Sequence, residues 1–183
     1  DRRKRNRRSD HCTGLTDSDI GPRKRPFPFM QTVIFDTNLL LDFFVFRDKT
    51  TAPLWEAACA GQFRTVTTQE AIDEFKDVLN RPAFSLTQKA QEEVLKDFLS
   101  IAENAAITTE AQARCRDPLD QKFIDLAVSE APAVLITKDK LVLRCAKRIK
   151  KTGSMICSPS AALLNPDLVK TSRPSPLSDS IQR

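Results

Sequence analysis

Four short runs rich in apolar or β-branched residues punctuate this chain, at 31–35, 63–67, 133–137 and 154–157, and each reads as a strand. Between them the apolar positions recur at helical spacing. Residues 39–46 are apolar nearly throughout and suit the start of an interior helix, and 52–60 predict a second helix stopped by Gly61. Thr68 or Gln69 opens a helix running to about Asn80, ahead of Arg81-Pro82, and Thr87 is a plausible N-cap for a helix over 88–101. Asp117 followed by Pro118 is a strong start signal for a helix over 118–130. A helix over 140–151 ends near Gly153, and 159–164 add a last helical turn.

Strands alternating with helices predict an α/β fold, a mainly parallel central sheet covered on both faces in a three-layer α/β/α sandwich. Such sheets bind ligands beyond the carboxyl ends of their strands. Asp36 and the run Thr137-Lys138-Asp139 fall at two of those ends.

The 183 residues suit one domain with tails, and the pattern places the domain at 31–166. Residues 1–30 carry nine Lys or Arg against four Asp, whereas 31–183 carry twenty of each sign, so the net charge of +5 belongs to the N-terminal segment. With almost nothing to bury, residues 1–30 read as a basic disordered tail, able at most to hold phosphate loosely by counterion release. That segment lacks the apolar core of a signal peptide and is too rich in aspartate for a typical organellar address. Residues 167–183 turn polar and proline-rich and read as a flexible C-terminal tail.

No run reaches the roughly 18 apolar residues of a membrane span. Five scattered cysteines without a Cys-x-x-Cys pair imply reduced thiols, a cytoplasmic setting and no thiolate zinc site. The single histidine, His11, lies in the basic tail, so chemistry in the domain has to proceed without imidazole.

Carboxylates are therefore the candidates, and each has a structural reading beside the chemical one. Asp36 ends an apolar strand and either caps the next helix or holds a metal, with Asn38 able to support it. On the helix after Thr68, Ile72, Phe75, Val78 and Leu79 form the apolar stripe, and Glu70, Asp73 and Asp77 project nearly opposite. Glu74 falls at the stripe's edge, where a carboxylate can reach a cleft.

Asp117 is an N-cap by position. Asp120 points the same way as Phe123, Ile124 and Ala127, and so needs a backbone partner or a cation. Asp139 either caps the following helix or joins Asp36 at the sheet edge. Beyond it Lys140, Arg144, Lys147 and Lys151 share one helical face opposite Leu141, Val142, Cys145 and Ile149. That stripe suits contacts to a phosphate backbone, or plain solvation.

Val33-Ile34-Phe35-Asp36-Thr37-Asn38 resembles the opening strand of PIN domains, metal-dependent ribonucleases that include the VapC toxins. Thr68-Gln69-Glu70-Ala71-Ile72-Asp73-Glu74-Phe75, Arg116-Asp117-Pro118-Leu119-Asp120-Gln121-Lys122-Phe123-Ile124 and Leu135-Ile136-Thr137-Lys138-Asp139 are similar to the family's later acidic blocks. Ile156-Cys157-Ser158-Pro159 resembles its closing strand and turn. The likeness is strongest to the branch of toxin components of toxin–antitoxin pairs. It implies metal ligands at Asp36, Glu74, Asp120 and Asp139, with Asp117 a fifth acid, and polar supports at Asn38 and Thr137. Lys138 departs from the family, which usually has a small residue there; a lysine could contact phosphate or weaken metal binding.

The resemblance implies Mg²⁺ or Mn²⁺, which suit an all-oxygen ligand set. It implies RNA as substrate, with cleavage by metal-activated water to 5′-phosphate and 3′-hydroxyl ends. The expected partners are RNA, a small antitoxin protein and a second copy of the chain, with no membrane. The main alternative is a PIN-like RNA-binding module that no longer hydrolyses. A haloacid-type phosphatase would need aspartate at position 38, and a P-loop enzyme its Gly-x-x-x-x-Gly-Lys signature; neither is present.

Overall fold

A computed structural model of the chain describes residues 30–169. The expected basic tail, apart from Met30, and the C-terminal segment beyond Val169 lie outside these residues. All four expected strands form: β1 (Thr32–Phe35), β2 (Arg64–Thr67), β4 (Ala133–Ile136) and β5 (Met155–Cys157). A fifth, β3 (Ala102–Asn104), was not expected. It follows helix α4 (Gln88–Ile101) without a break and takes the edge position, where Glu103 and Asn104 face solvent and no apolar run is needed.

The sheet is wholly parallel in the order β3-β2-β1-β4-β5. From β1 the chain winds outward through β2 and β3, then crosses to the other side of β1 for β4 and β5. The strand order reverses between β1 and β4, and a crevice at such a reversal is where parallel sheets bind ligands. Phe35 pairs with Ile136, so Asp36 and Thr137 leave the sheet side by side.

Alternation along the central strands divides the core. Val33, Phe35, Val134 and Ile136 face one layer, with α1 (Thr37–Leu41), α2 (Ala52–Cys59), α4 and most of the apolar side of α3 (Gln69–Leu79). Ile34, Ala133 and Leu135 face the other, with α5 (Gln121–Ser129), α6 (Lys140–Leu143) and α7 (Ala146–Ile149). A last helix, α8 (Pro159–Leu163), returns to the first layer through Ala162. The architecture is the expected three-layer α/β/α sandwich.

Three expected helices differ in detail. The apolar stretch after β1 is α1 followed by a π-helical turn over Asp42–Phe46, which ends where Arg47 enters the left-handed region (φ 50°). The expected helix over 118–130 begins as a 3-10 turn, Pro118–Asp120, before α5. The expected helix over 140–151 is broken into α6, α7 and a 3-10 turn, Lys150–Thr152, with no proline or glycine inside to mark the break.

Two residues beyond the expected domain edge at Pro166 pack on the core. Leu168 is 1% exposed and, with Val169, belongs to the first core layer, while both amides bond to the Asn165 carbonyl. Leu168→Ala is expected to cost about 2 kcal/mol in urea unfolding, the low end for a buried leucine because the site lies at the core's margin. A loss below about 0.5 kcal/mol would leave 167–169 outside the folded body.

Candidate active site

Asp36 is the most buried of the expected acids, 4% exposed, directly after β1. One carboxylate oxygen accepts from the Leu39 amide at 2.7 Å and caps α1; the other accepts from the Thr137 hydroxyl. Thr137 Oγ1 in turn accepts from the Asp139 amide at 2.9 Å, so one hydroxyl fixes both acids at the sheet edge. Asp139 caps α6, its Oδ1 accepting from the amides of Leu141 (2.5 Å) and Val142 (3.2 Å). Asp117 caps its 3-10 turn through Leu119 (2.9 Å). The capping readings and a role at the sheet edge are thus compatible: in Asp139 and Asp117 one oxygen caps and the other has no hydrogen bond among the described residues.

Asp120 differs, because no hydrogen bond to its carboxylate forms among the described residues. Burial first, then the charges of Asp117, Asp139 and Glu74, push its carboxyl up to about 6, against a pull downward from Lys122. Asp36 also rises to about 6, chiefly through burial; its hydrogen bonds from Thr137 and Leu39 oppose this, and Asp120 and Asp139 add to it. The five acids implied by the family likeness therefore share one electrostatic neighbourhood. Thr37 Oγ1, next along the chain, is buried without a hydrogen-bond partner among the described residues.

Glu74 reaches this neighbourhood from α3 but is not free. Its carboxylate forms a close ion pair with Lys122, whose side chain is only 5% exposed and also donates to the Leu119 carbonyl. Glu70 Oε1 stands 3.9 Å from the same ammonium, while Asp73 and Asp77 face solvent as expected. The local pattern does not mark Lys122, which lies nearly opposite the Phe123, Ile124, Ala127 stripe, where a lysine is ordinarily solvated. The signal available was its place inside the acidic block, two residues after Asp120.

The oxygens suit a hard divalent cation in kind. They are not a finished cage: among the described residues no three His, Cys, Asp or Glu side chains form a group ready to hold a metal. Lys122 holds Glu74, and Thr137 holds one oxygen of Asp36.

The polar and basic residues separate into two sets. Thr137 supports Asp36, whereas the exposed Asn38 side chain bonds to no carboxylate among the described residues; it lines a hollow of about 500 Å³ together with Asp42, Phe46, Asp139 and Lys140. Lys138 lines the same hollow, but its ammonium is held by Asp42 (2.5 Å) and Asp48 (3.1 Å), and the Asp42 carboxylate keeps it above its ordinary pKa. Lys140, Arg144, Lys147 and Lys151 are all exposed and form no ion pair among the described residues. The break between α6 and α7 ends their single stripe. Lys151 lines another hollow, with Glu110 and Arg148.

Among the described residues no helix is long and apolar enough to cross a membrane. No curated protein and no solved structure matches the chain. A family model described as PIN domain matches residues 32–141, from the first residue of β1 to just beyond Asp139. That span exceeds half of the 183 residues and contains every acid of the sheet edge, and the chain belongs to the PIN domain family.

Proposed function

We propose that this chain is a metal-dependent endoribonuclease working at the crevice between β1 and β4. The observation that carries the reading is the gathering of Asp36, Asp120 and Asp139 at the point where the strand order reverses, within a nuclease-type family. Asp36, Asp120 and Asp139 would hold Mg²⁺ or Mn²⁺, with Glu74 and Asp117 completing the acidic rim. The bound ion supplies charge that makes water nucleophilic at neutral pH and offsets the charge developing on phosphate.

The chain's own residues do the rest. Thr137 fixes the orientation of Asp36 and the backbone of Asp139 through one hydroxyl. Lys140, Arg144 and Lys147 lie exposed just beyond Asp139 and draw in the RNA backbone by counterion release. Lys151 is a more remote contact, and Lys138 acts as a brace for the Asp42 and Asp48 carboxylates. The four cysteines among the described residues are free thiols, which supports a reducing, cytoplasmic setting.

The motif likeness extends the proposal to the toxin of a toxin–antitoxin pair, restrained by a small antitoxin protein. A second copy of the chain is a further proposed partner. The first extension predicts relief of growth arrest by a small protein encoded beside this one, and the second a dimer in solution.

The deciding experiment uses the purified full chain with single-stranded and stem-loop RNAs. Cleavage is expected in Mn²⁺ or Mg²⁺, leaving 5′-phosphate and 3′-hydroxyl ends, and should stop with EDTA and return with excess metal. One observation favours a second reading, a PIN-fold RNA-binding module without hydrolysis: Glu74 is occupied by Lys122, and among the described residues no acidic group stands ready to hold a metal. RNA that is bound but left intact with both metals across a broad panel would decide for that module.

A further inference from the structure

Phe46 is the one aromatic side chain left exposed among the described residues, at 60%. The three residues before it turn inward: Phe43 and Phe44 pack on Trp55, and Val45 joins the first core layer. Phe46 touches only the Phe84 ring in comparable fashion, with centroids 5.9 Å apart and planes at 70°. The π-helical turn ends at this residue, with Arg47 in the left-handed region and the Asp48 amide bonded to the Asp42 carbonyl at 2.9 Å. An exposed ring forgoes the burial free energy that Phe43 and Phe44 gain on folding.

Its surroundings give the ring a use. Phe46 lines the 500 Å³ hollow that also contains Asp139 of the acidic edge, the exposed amide of Asn38 and Lys140, which forms no ion pair among the described residues. Lys138 and Asp42 in the same hollow neutralise each other. An aromatic surface, an unpaired ammonium and an amide around a nucleotide-sized space are what an unstacked base and its phosphate require.

We propose that this hollow is a subsite for one unpaired nucleotide of single-stranded RNA, its base stacked on Phe46 and its phosphate on Lys140. The proposal rests on the ribonuclease reading and adds how that site selects strands. A base within a duplex cannot offer its face to the ring, so the subsite favours single strands and loops. Stacking accepts any base, so sequence preference from Phe46 is weak, and Asn38 is positioned to add base-edge contacts.

Binding is measured with the Asp36→Asn full chain, to prevent cleavage, and a labelled single-stranded oligoribonucleotide of about 12 nucleotides. Adding Phe46→Ala is expected to weaken binding about 5- to 150-fold, the range for loss of one stacked base. Adding Phe46→Trp instead should preserve affinity, and the new indole should be quenched by RNA beyond any change from Trp55. Lys140→Ala should lower the salt dependence of binding by about one released counterion. A duplex of the same sequence should bind Phe46→Ala and its parent equally.

Affinity for the single strand within about twofold of the parent, far inside the range for a stacked base, would overturn the subsite, as would an unquenched indole. If the otherwise wild-type chain cleaves RNA while its Phe46→Ala variant cleaves with unchanged KM, the subsite falls and the nuclease reading stands. If wild type neither binds nor cuts any RNA, both fall.

Discussion

Asp36→Asn is expected to abolish metal-dependent cleavage and, without metal, to make the fold more stable at neutral pH. Both effects come from one buried carboxylate held at about 6 by burial and by Asp120 and Asp139. The sign follows from proton linkage. Between about pH 4 and 6 the folded chain binds a proton that the unfolded chain has released, so stability falls as pH rises through that window. A rise of about 2 pKa units at a fully buried group corresponds to roughly 3 kcal/mol, an upper bound on the penalty of ionised Asp36 at neutral pH.

Asp120 acts in the same direction, with less effect because it is less buried than Asp36. Asp48, pulled to about 2 by hydrogen bonds from Thr50 and by Lys138, titrates below the window and does not cancel the trend. Asparagine keeps the carbonyl that caps Leu39 and presents an amide donor to Thr137, whose hydroxyl can accept it. Wild-type stability without metal should therefore decline from pH 4.5 to 7.5, and Asp36→Asn should flatten most of that decline.

With Mg²⁺ the order reverses, since only the wild type gains the stabilisation of a bound ligand. Removing groups that merely orient metal ligands costs about 10- to 100-fold, and loss of a direct ligand should cost at least about 100-fold in cleavage. Chemical denaturation at several pH values, with and without Mg²⁺, checks the stabilities. A loss above about 2 kcal/mol for metal-free Asp36→Asn at pH 7.5 would make Asp36 a structural cap in a buried network, not a ligand.

The features that were legible in the sequence are those a short window can carry. Four strands declared themselves through apolar runs, and β1 and β4 ended on acids that do lie together, because parallel strands in register bring equivalent ends to one edge. β3 was not legible: Ala102-Glu103-Asn104 has neither burial nor alternation, and its pairing with Thr65–Thr67 is a long-range contact. A wheel over 140–151 assumes an unbroken helix, and the break at Arg144 and Cys145 separates Lys140 from Lys151.

Likewise the apolar pattern of α5 implies one buried face, yet Lys122 and Asp125 are buried on its other sides. The segment 105–117 folds over the helix, and Asp125 Oδ1 takes the Ala111 amide at 2.8 Å and the Gln121 side chain at 2.8 Å. Buried polar groups of this kind are satisfied by distant backbone, which no local pattern displays. The choice between cap and ligand could not be resolved from sequence either, since a carboxylate has two oxygens and the fold uses them separately.

Lys122→Met is expected to move stability and metal affinity in opposite directions. The ammonium is almost fully enclosed, lies over the Phe123 ring at 5.1 Å, bonds to the Leu119 carbonyl and pairs with Glu74. Removing one member of a buried pair commonly costs 3–5 kcal/mol, but Glu74 is 33% exposed and can recover some hydration, so the expected loss without metal is nearer 2 kcal/mol. Methionine keeps the length and packing of the lysine stem, so that loss reports charge and hydrogen bonding more than volume.

The same substitution removes the positive charge that lowers the Asp120 carboxyl, and it frees Glu74 for the acidic edge. On the proposed reading Lys122 is the resident countercharge of a metal-free site, and a divalent cation must work against it. Mn²⁺ affinity of Lys122→Met, measured by calorimetry, should then rise by at least about tenfold, as expected for losing one repulsive unit charge beside the acids. Saturating Mn²⁺ should recover most of the lost stability. Lys122→Arg keeps the charge and should leave the affinity near wild type. If affinity falls together with stability in Lys122→Met, the lysine instead holds the acids in their binding arrangement, and Glu74 acts through Lys122 and not as a ligand.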